Sequence, residues 1–215
     1  MICFAIENES MVNPHMNHIE PIENQTIFLE EIEEGAVLKN CEIDSNQERK
    51  LLSGAQFINC VFLFDDFSKT EILDCSFSHC EFSNFNFEKA ILYRDTFTAC
   101  KLLGTNFIQA GVKDTQFSDC LMTYVNFSDS KLTNVKFESN KLNESSFQHV
   151  QMKKVSFDRS YIDGVDFSET ALKDINLSSC EFTMIRIDVN LATGLKINQF
   201  QAASLISSFG IKVVD

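Results

Sequence analysis

Every fifth residue from Leu52 to Ile187 is apolar. The column begins Leu52, Phe57, Phe62, Phe67, Ile72 and Phe77 and runs through 28 consecutive positions, which hold 15 of the chain's 21 phenylalanines. A second column lies two residues earlier and is mostly Ala, Cys, Ser, Thr or Val. It holds six of the eight cysteines: Cys60, Cys75, Cys80, Cys100, Cys120 and Cys180. The other three positions of each five are mostly polar or charged, so the unit reads small, any, Phe or Leu, polar, any. A period of five fits neither the 3.6 of an α-helix nor the 2.0 of a flat strand. It suits a coil that turns a corner every five residues, with one large and one small side chain per unit facing a narrow interior. Four units close a square turn of 20 residues. Stacked turns pair backbone to backbone at about 4.8 Å, so the 28 units make seven turns and a rod of roughly 34 Å. Each turn buries its side chains against the next, and none is stable alone.

Composition adds a tension. Seven glycines and two prolines in 215 residues argue against a domain built from many tight turns. Three inward small positions are polar: Asp65, Asp95 and Asn140. An interior carboxylate is costly unless hydrogen-bonded, so these residues are expected to cap backbone groups at corners.

The ends depart from the register. Phe28, Leu38 and Ile43 lie five or ten apart, with Thr26, Ala36 and Cys41 two residues before them; Glu33 interrupts, and Ile43 to Leu52 is a step of nine. Residues 26–49 read as an imperfect first turn or two that caps the coil. Residues 1–25, with Pro14 and Pro21, read as irregular. After Ile187, Leu191-Ala192-Thr193-Gly194 reads as a turn out of the coil and Asn198 as a helix cap. Ala202, Leu205, Ile206 and Phe209 then form one apolar helix face, Gly210 stops the helix, and Ile211 to Val214 is a strand-like tail. The expected organisation is thus an irregular segment 1–25, a coil 26–190 and a C-terminal module 191–215. An open coil end is a liability that must be covered. A symmetric dimer through Ala202, Leu205, Ile206, Phe209, Ile211 and Val213 would cover it.

Charge narrows the partners. With 18 basic and 31 acidic residues the formal net is −13, the wrong sign for a protein that grips nucleic acid through phosphates or sits on an anionic membrane. No run nears 18 apolar residues and no signal peptide is visible; eight cysteines without a CxxC pair point to a reduced, cytoplasmic protein. Residues 1–49 carry eleven acids against two bases. Tallied by side of the square, the side centred on Leu52 and Ile72 is +2, that on Phe62 and Phe82 is −2, and that on Phe67 and Phe87 is −3. Near the C-terminus the last two sides gather Asp129, Glu144, Asp163, Asp166, Glu169, Glu181 and Asp188, the candidate partner-binding face. An acidic rod of this kind imitates the charge of duplex DNA, and two copies end to end would match roughly 20 base pairs.

Reaction chemistry is not legible. No P-loop, dinucleotide fingerprint or nucleophile elbow is present. His15 and His18 form an HxxH without nearby cysteines, and His79 and His149 fall on outward positions. The cysteines alternate with Ala, Thr, Ser and Val, which marks them as small core packers. The expectation is a non-enzyme without cofactor or metal.

Residues 50–190 resemble the pentapeptide-repeat family, and the resemblance implies an all-β fold, a right-handed quadrilateral β-helix. Gly194-Leu195-Lys196, then Gln201-Ala202 leading a short apolar helix, then Phe209-Gly210-Ile211-Lys212-Val213-Val214, resemble the C-terminus of the Qnr-type quinolone-resistance proteins. That likeness implies a homodimer through the C-terminal helix. It also implies that the partners are DNA gyrase and topoisomerase IV, protected from fluoroquinolones by DNA mimicry. The frame runs from Leu52 to Ile187 without the outward loops of the Gram-negative members, so the chain is more similar to loop-free Gram-positive and mycobacterial relatives. Gyrase inhibition without protection, or a scaffold for another protein, are the alternatives.

Overall fold

The five-residue period becomes a four-sided coil in the computed structural model, which describes residues 20–46 and 51–212. His15, His18 and Pro14, most of the irregular segment expected over 1–25, and Val213 and Val214 lie outside the described residues. The architecture is the right-handed quadrilateral β-helix, all parallel, closed by one short C-terminal helix.

On the first side, Leu52, Ile72, Leu92, Val112, Leu132 and Met152 pair rung by rung, twenty residues apart. On the second, Phe57, Phe77, Phe97, Phe117, Phe137 and Phe157 do the same. The third and fourth sides, centred on Phe62 and Phe67, mostly hold single bridges such as Glu81 to Lys101 and Asn86 to Asn106. The sequence explains the single bridges of the fourth side. On the fourth side the residue before the centre is often Asp or Asn, and its side chain accepts the N–H two residues on. Asn106 takes that of Ile108 at 2.9 Å, Asn126 that of Ser128 at 2.9 Å and Asp166 that of Ser168 at 2.9 Å. Such Asx turns compete with strand formation. The turn is closed by a backbone bond such as Ala110 N–H to Phe107 C=O at 3.0 Å.

Of the 28 large positions, all but Met152, Phe182 and Ile187 are buried. Phenylalanine recurs mainly on the second and fourth sides, which face each other. Each makes its own stack along the axis, with ring centroids 5.0 Å apart for Phe97 and Phe117 and 4.6 Å for Phe107 and Phe127. The two stacks meet edge to face across the interior, as in Phe137 against Phe147 at 5.6 Å, the geometry that ring quadrupoles favour.

The shortage of glycine does not prevent tight corners. From Lys69 to Asp174 every fifth residue has φ between 48° and 73°, and only Gly104 and Gly164 among them are glycines. A left-handed non-glycine residue costs about 1–2 kcal/mol. Here most corner N–H groups donate to a carbonyl of the next turn, as Asn134 does to Lys153 at 2.8 Å, which offsets the strain.

The small column does more than save space. Cys60, Cys80, Cys100 and Cys120 stack on consecutive rungs at one corner, so the alternation with Ala, Thr and Val runs around the coil and not along it. The Cys100 thiol donates to the Phe77 carbonyl at 3.4 Å, and Thr105 and Ser145 donate in the same way to Phe82 and Met122 at 2.8 and 2.9 Å. Asn140 accepts the Cys120 N–H at 2.8 Å and donates to the Phe117 carbonyl at 2.9 Å. Asp95 accepts the Cys75 N–H at 2.8 Å with one oxygen, while its other oxygen is buried and unpaired. Burial pushes the Asp95 carboxyl up to about 8. Both residues cap the backbone as expected.

Asp65 does not point inward; it is exposed. The corner at Phe64 is not left-handed, and Phe64 turns in against Phe67, with rings 4.9 Å apart. Phe85, one turn on, fills the small column where Asp65 is displaced and packs on Phe82 at 5.3 Å. A cluster of five rings thus replaces one inward carboxylate.

Both ends are longer coils than expected. Ile22 already pairs with Leu38, so the ladder starts before residue 26. Ile27, not Phe28, pairs with Ile43, and Phe28 is 46% exposed. At the far end Asn176 bridges Lys196, so Leu191 to Gly194 forms one more corner of the coil and not an exit from it.

Candidate partner-binding surface

All seven acidic residues fall on the third and fourth sides of the last turns, where the five-residue register puts them outward. The structure divides them into two groups. Asp163 accepts from the Thr183 N–H and hydroxyl at 2.7 and 2.6 Å and from the Met184 N–H at 2.9 Å. The corner at Met184 is not left-handed, and Asp163 caps the backbone that this lapse frees. The Thr183 donors, ahead of the opposing effect of burial, hold the Asp163 carboxyl below its ordinary value. Asp166 accepts from Ser168 and from the Gln148 amide at 2.7 Å, and Arg186 lies 3.5 Å away. Burial raises its carboxyl, but these donors outweigh burial and hold it low. Asp188 accepts the Glu169 N–H at 2.6 Å, and Asp129 meets the His149 ring at 2.7 Å.

Glu144, Glu169 and Glu181 form the second group. Their carboxylates have no hydrogen-bond or ion-pair partner among the described residues. Glu144 lies across Gly164, whose missing Cβ would stand 2.6 Å from the carboxylate, so the glycine leaves room for it. Toward the N-terminus two acids of the same sides are paired with lysines, Glu81 with Lys101 at 3.3 Å and Glu88 with Lys89 at 2.6 Å, while the exposed Asp65 is not. Three of the unpaired carboxylates of these sides, Glu144, Glu169 and Glu181, lie toward the C-terminal end.

The helix there, α1, spans Gln199–Ser208, and Asn198 caps it by accepting from the N–H groups of Phe200 and Gln201, both at 3.0 Å. Its seat on the coil is not the apolar face that the spacing suggests. Gln201 is buried, and its amide donates to the Leu177 and Cys180 carbonyls at 2.9 and 2.7 Å, the open acceptors of the last turn. Its oxygen accepts the Asn198 N–H at 2.8 Å. The pattern Asn-x-x-Gln before an apolar run is a capping-box signature, the signal that could have found this residue. Leu205 packs against the core and Ala202 is half-buried, whereas Ile206, Phe209 and Ile211 are exposed and Phe200 is 78% exposed. A groove of about 460 Å³ between helix and coil is lined by Asp163, Glu181, Phe182, Phe200 and Gln201. Among the described residues no group of three or more His, Cys, Asp or Glu could hold a metal ion, and no helix is long and apolar enough to cross a membrane.

Residues 70–147 match the model of the pentapeptide repeat region. No curated protein matches the chain. Among solved structures, a trypsin-treated form of QnrB1, a plasmid-mediated fluoroquinolone resistance protein, is 21% identical over 91% of this chain and 100% of its own, with a TM-score of 0.43. HetL, a pentapeptide repeat protein involved in heterocyst differentiation regulation from the cyanobacterium Nostoc, is 15% identical over 82% of this chain and 85% of its own, with a TM-score of 0.42. A pentapeptide repeat protein of the Arabidopsis thaliana thylakoid lumen is 26% identical over 51% of this chain and 66% of its own, with a TM-score of 0.30. Residues 70–147 carry the pentapeptide repeat region, and the same five-residue coil continues on either side of them.

Proposed function

We propose that this protein is a DNA-mimicking rod that binds type II topoisomerases, DNA gyrase or topoisomerase IV, and protects them from fluoroquinolones. What carries the reading is the unpaired acidity of the third and fourth sides near the C-terminal end, where Glu144, Glu169 and Glu181 lack cations. A saddle that grips duplex DNA would meet these carboxylates by charge complementarity, which governs encounter rate and register more than raw affinity. The second support is the exposed apolar set Phe200, Ile206, Phe209 and Ile211. A second copy covering it on a two-fold axis would double the acidic end and lengthen the rod. The terminal motif's resemblance to the Qnr-type proteins points the same way.

The test is gyrase-catalysed supercoiling with the purified protein titrated in, with and without ciprofloxacin. Rescue in drug is the expected outcome. Inhibition without rescue would make the protein a gyrase-binding mimic of another purpose, and no effect would leave a pentapeptide-repeat scaffold for a different partner. Glu144→Lys, Glu169→Lys and Glu181→Lys together should abolish the effect while the rod stays folded. Reversal of Asp163 or Asp166 is the wrong probe, because those carboxylates hold the coil. Removal of residues after Thr193 should give monomers with little activity.

A further inference from the structure

The first side, opposite the acidic third side, carries a different feature. Its outward columns stand on either side of the buried Leu92 and Val112 and hold Glu71, Ile91, Gly111, Lys131 and Gln151 in one row, Leu73, Tyr93, Lys113, Thr133 and Lys153 in the other. Gly111 leaves its row empty for one rung. A Cβ built there would meet nothing within 4 Å, and its φ is not positive, so the backbone does not demand glycine. The gap between Ile91 and Lys131 is two rungs, about 9.6 Å at the usual strand spacing. It opens into an apolar trough of about 370 Å³ walled by Leu73, Ile91, Tyr93 and Thr133, within the volume range of ligand pockets.

The walls are preorganised and the rim is basic. The Tyr93 ring is held by two cations, with Arg94 at 4.1 Å and the Lys113 ammonium at 4.8 Å from its centroid. Of the acids of this side, Asp74 pairs with Arg94, and Asp114 accepts from Asn134 at 2.6 Å and lies 3.9 Å from Lys113, while Glu71, two rungs from Gly111, has no partner among the described residues. Lys131, Lys153 and Lys154 have no acidic partner among the described residues. The trough thus joins an apolar floor to the uncompensated Lys131 ammonium at its rim, with Lys153 one rung further along the same side.

We infer that the trough over Gly111 is a docking site for an extended acidic segment of a partner protein, which seats one aromatic or aliphatic side chain in the gap and turns flanking carboxylates to Lys131 and Lys153. Charge complementarity selects an acidic occupant, and the gap of one side chain selects a single apolar anchor. The first side already pairs its backbone within the coil, so recognition is by side chains and not by strand addition. This inference is independent of the topoisomerase reading, because it uses the opposite side and an occupant of opposite charge.

The test uses the full chain and a fluorescein-labelled peptide of alternating Glu and Phe, followed by fluorescence anisotropy at physiological salt. Saturable binding is expected. Gly111→Val fills the gap with a residue suited to a strand and should weaken binding at least tenfold with no fall in Tm; Lys131→Glu should do likewise. A Glu/Ser peptide of equal charge should bind at least tenfold more weakly. Equal binding of the Glu/Ser peptide would reduce the effect to general attraction and overturn the site. Unchanged affinity in Gly111→Val, or no saturation at millimolar peptide, would also overturn it. If sedimentation shows a self-association that Gly111→Val removes, the trough belongs to a second copy and the inference fails.

Discussion

Between Ile72 and Phe167 every corner is left-handed and every rung repeats twenty residues on; between Leu177 and Ile197 the corners at Ser179, Met184 and Val189 lose that conformation. The middle is held by repetition. No single hydrogen bond there is special, because most corner N–H groups have a carbonyl above them and most rings of the second and fourth sides a ring above and below. The last turn has no turn above it to supply carbonyls and donors. Named side chains replace them: Asp163 for the freed N–H groups of Thr183 and Met184, and Gln201 for the carbonyls of Leu177 and Cys180. The residues that seal the end also line the groove beside the acidic face, so the candidate surface is built where the repeat stops paying its own way.

The sharpest way to break this comparison is to remove one ring from each region. Phe117→Ala should cost about 3–5 kcal/mol in urea denaturation, since it opens a cavity between two stacked rings and two edge contacts. Phe182→Ala, at a half-buried position, should cost less than half as much. Equal losses would show that the last turn is packed as the middle is.

Asp95 is the exception inside the regular region. Burial pushes its carboxyl up to about 8, against roughly 3.9 in an unfolded chain. Between those values the unfolded state releases a proton that the folded state keeps. Stability from this group is therefore full below about pH 4 and falls by about 1.4 kcal/mol per pH unit up to about pH 8. Asp95→Asn copies the arrangement of Asn140, whose amide donates to Phe117, and should flatten this slope and raise Tm at pH 8. A slope that survives the substitution would assign it to other groups.

At the end of the coil, Gln201→Ala leaves two buried carbonyls without donors and should cost about 1–3 kcal/mol. Gln109→Ala, an exposed corner of the middle, should cost little. Hydrogen exchange would separate the two effects, with protection lost only in the last turn for Gln201→Ala.

The period of five made the coil, its four sides and the 25 buried positions among the 28 large ones legible, because inward packing leaves no freedom at those sites. The corners were not legible. Their left-handed residues include Lys, Asp, His, Arg, Gln and Tyr, since the ladder supplies the stabilisation and the side chain points outward, so no residue type marks them. Phe28 against Ile27 was undecidable because adjacent apolar residues satisfy either register, and the pairing with Ile43 decides it. Asp65 was misplaced because Phe64 and Phe85, off the main column, bury more apolar surface inside than a small polar residue would. The acidic face was legible as charge but not as chemistry: the same letters Asp and Glu hide which carboxylates cap backbone and which are unpaired.

The smallest effect lies on that face. A hydrogen bond to Asp129, with the charge of that carboxylate, raises the His149 pKa above its ordinary value. Its contribution is present while the imidazole is protonated and is lost as pH rises through the folded-state value; both groups are exposed, so stability changes little. The field of the fourth side changes more. Protonated His149 neutralises Asp129, so the acidic end carries one more uncompensated charge at higher pH. Asp129→Asn should move the His149 titration, read by NMR, back toward lower pH with Tm unchanged. It should also remove the pH dependence of partner affinity that this pair contributes. A titration that does not move would mean that the pair is not populated in solution, and Asp129 would then join Glu144, Glu169 and Glu181 as a carboxylate open to a partner.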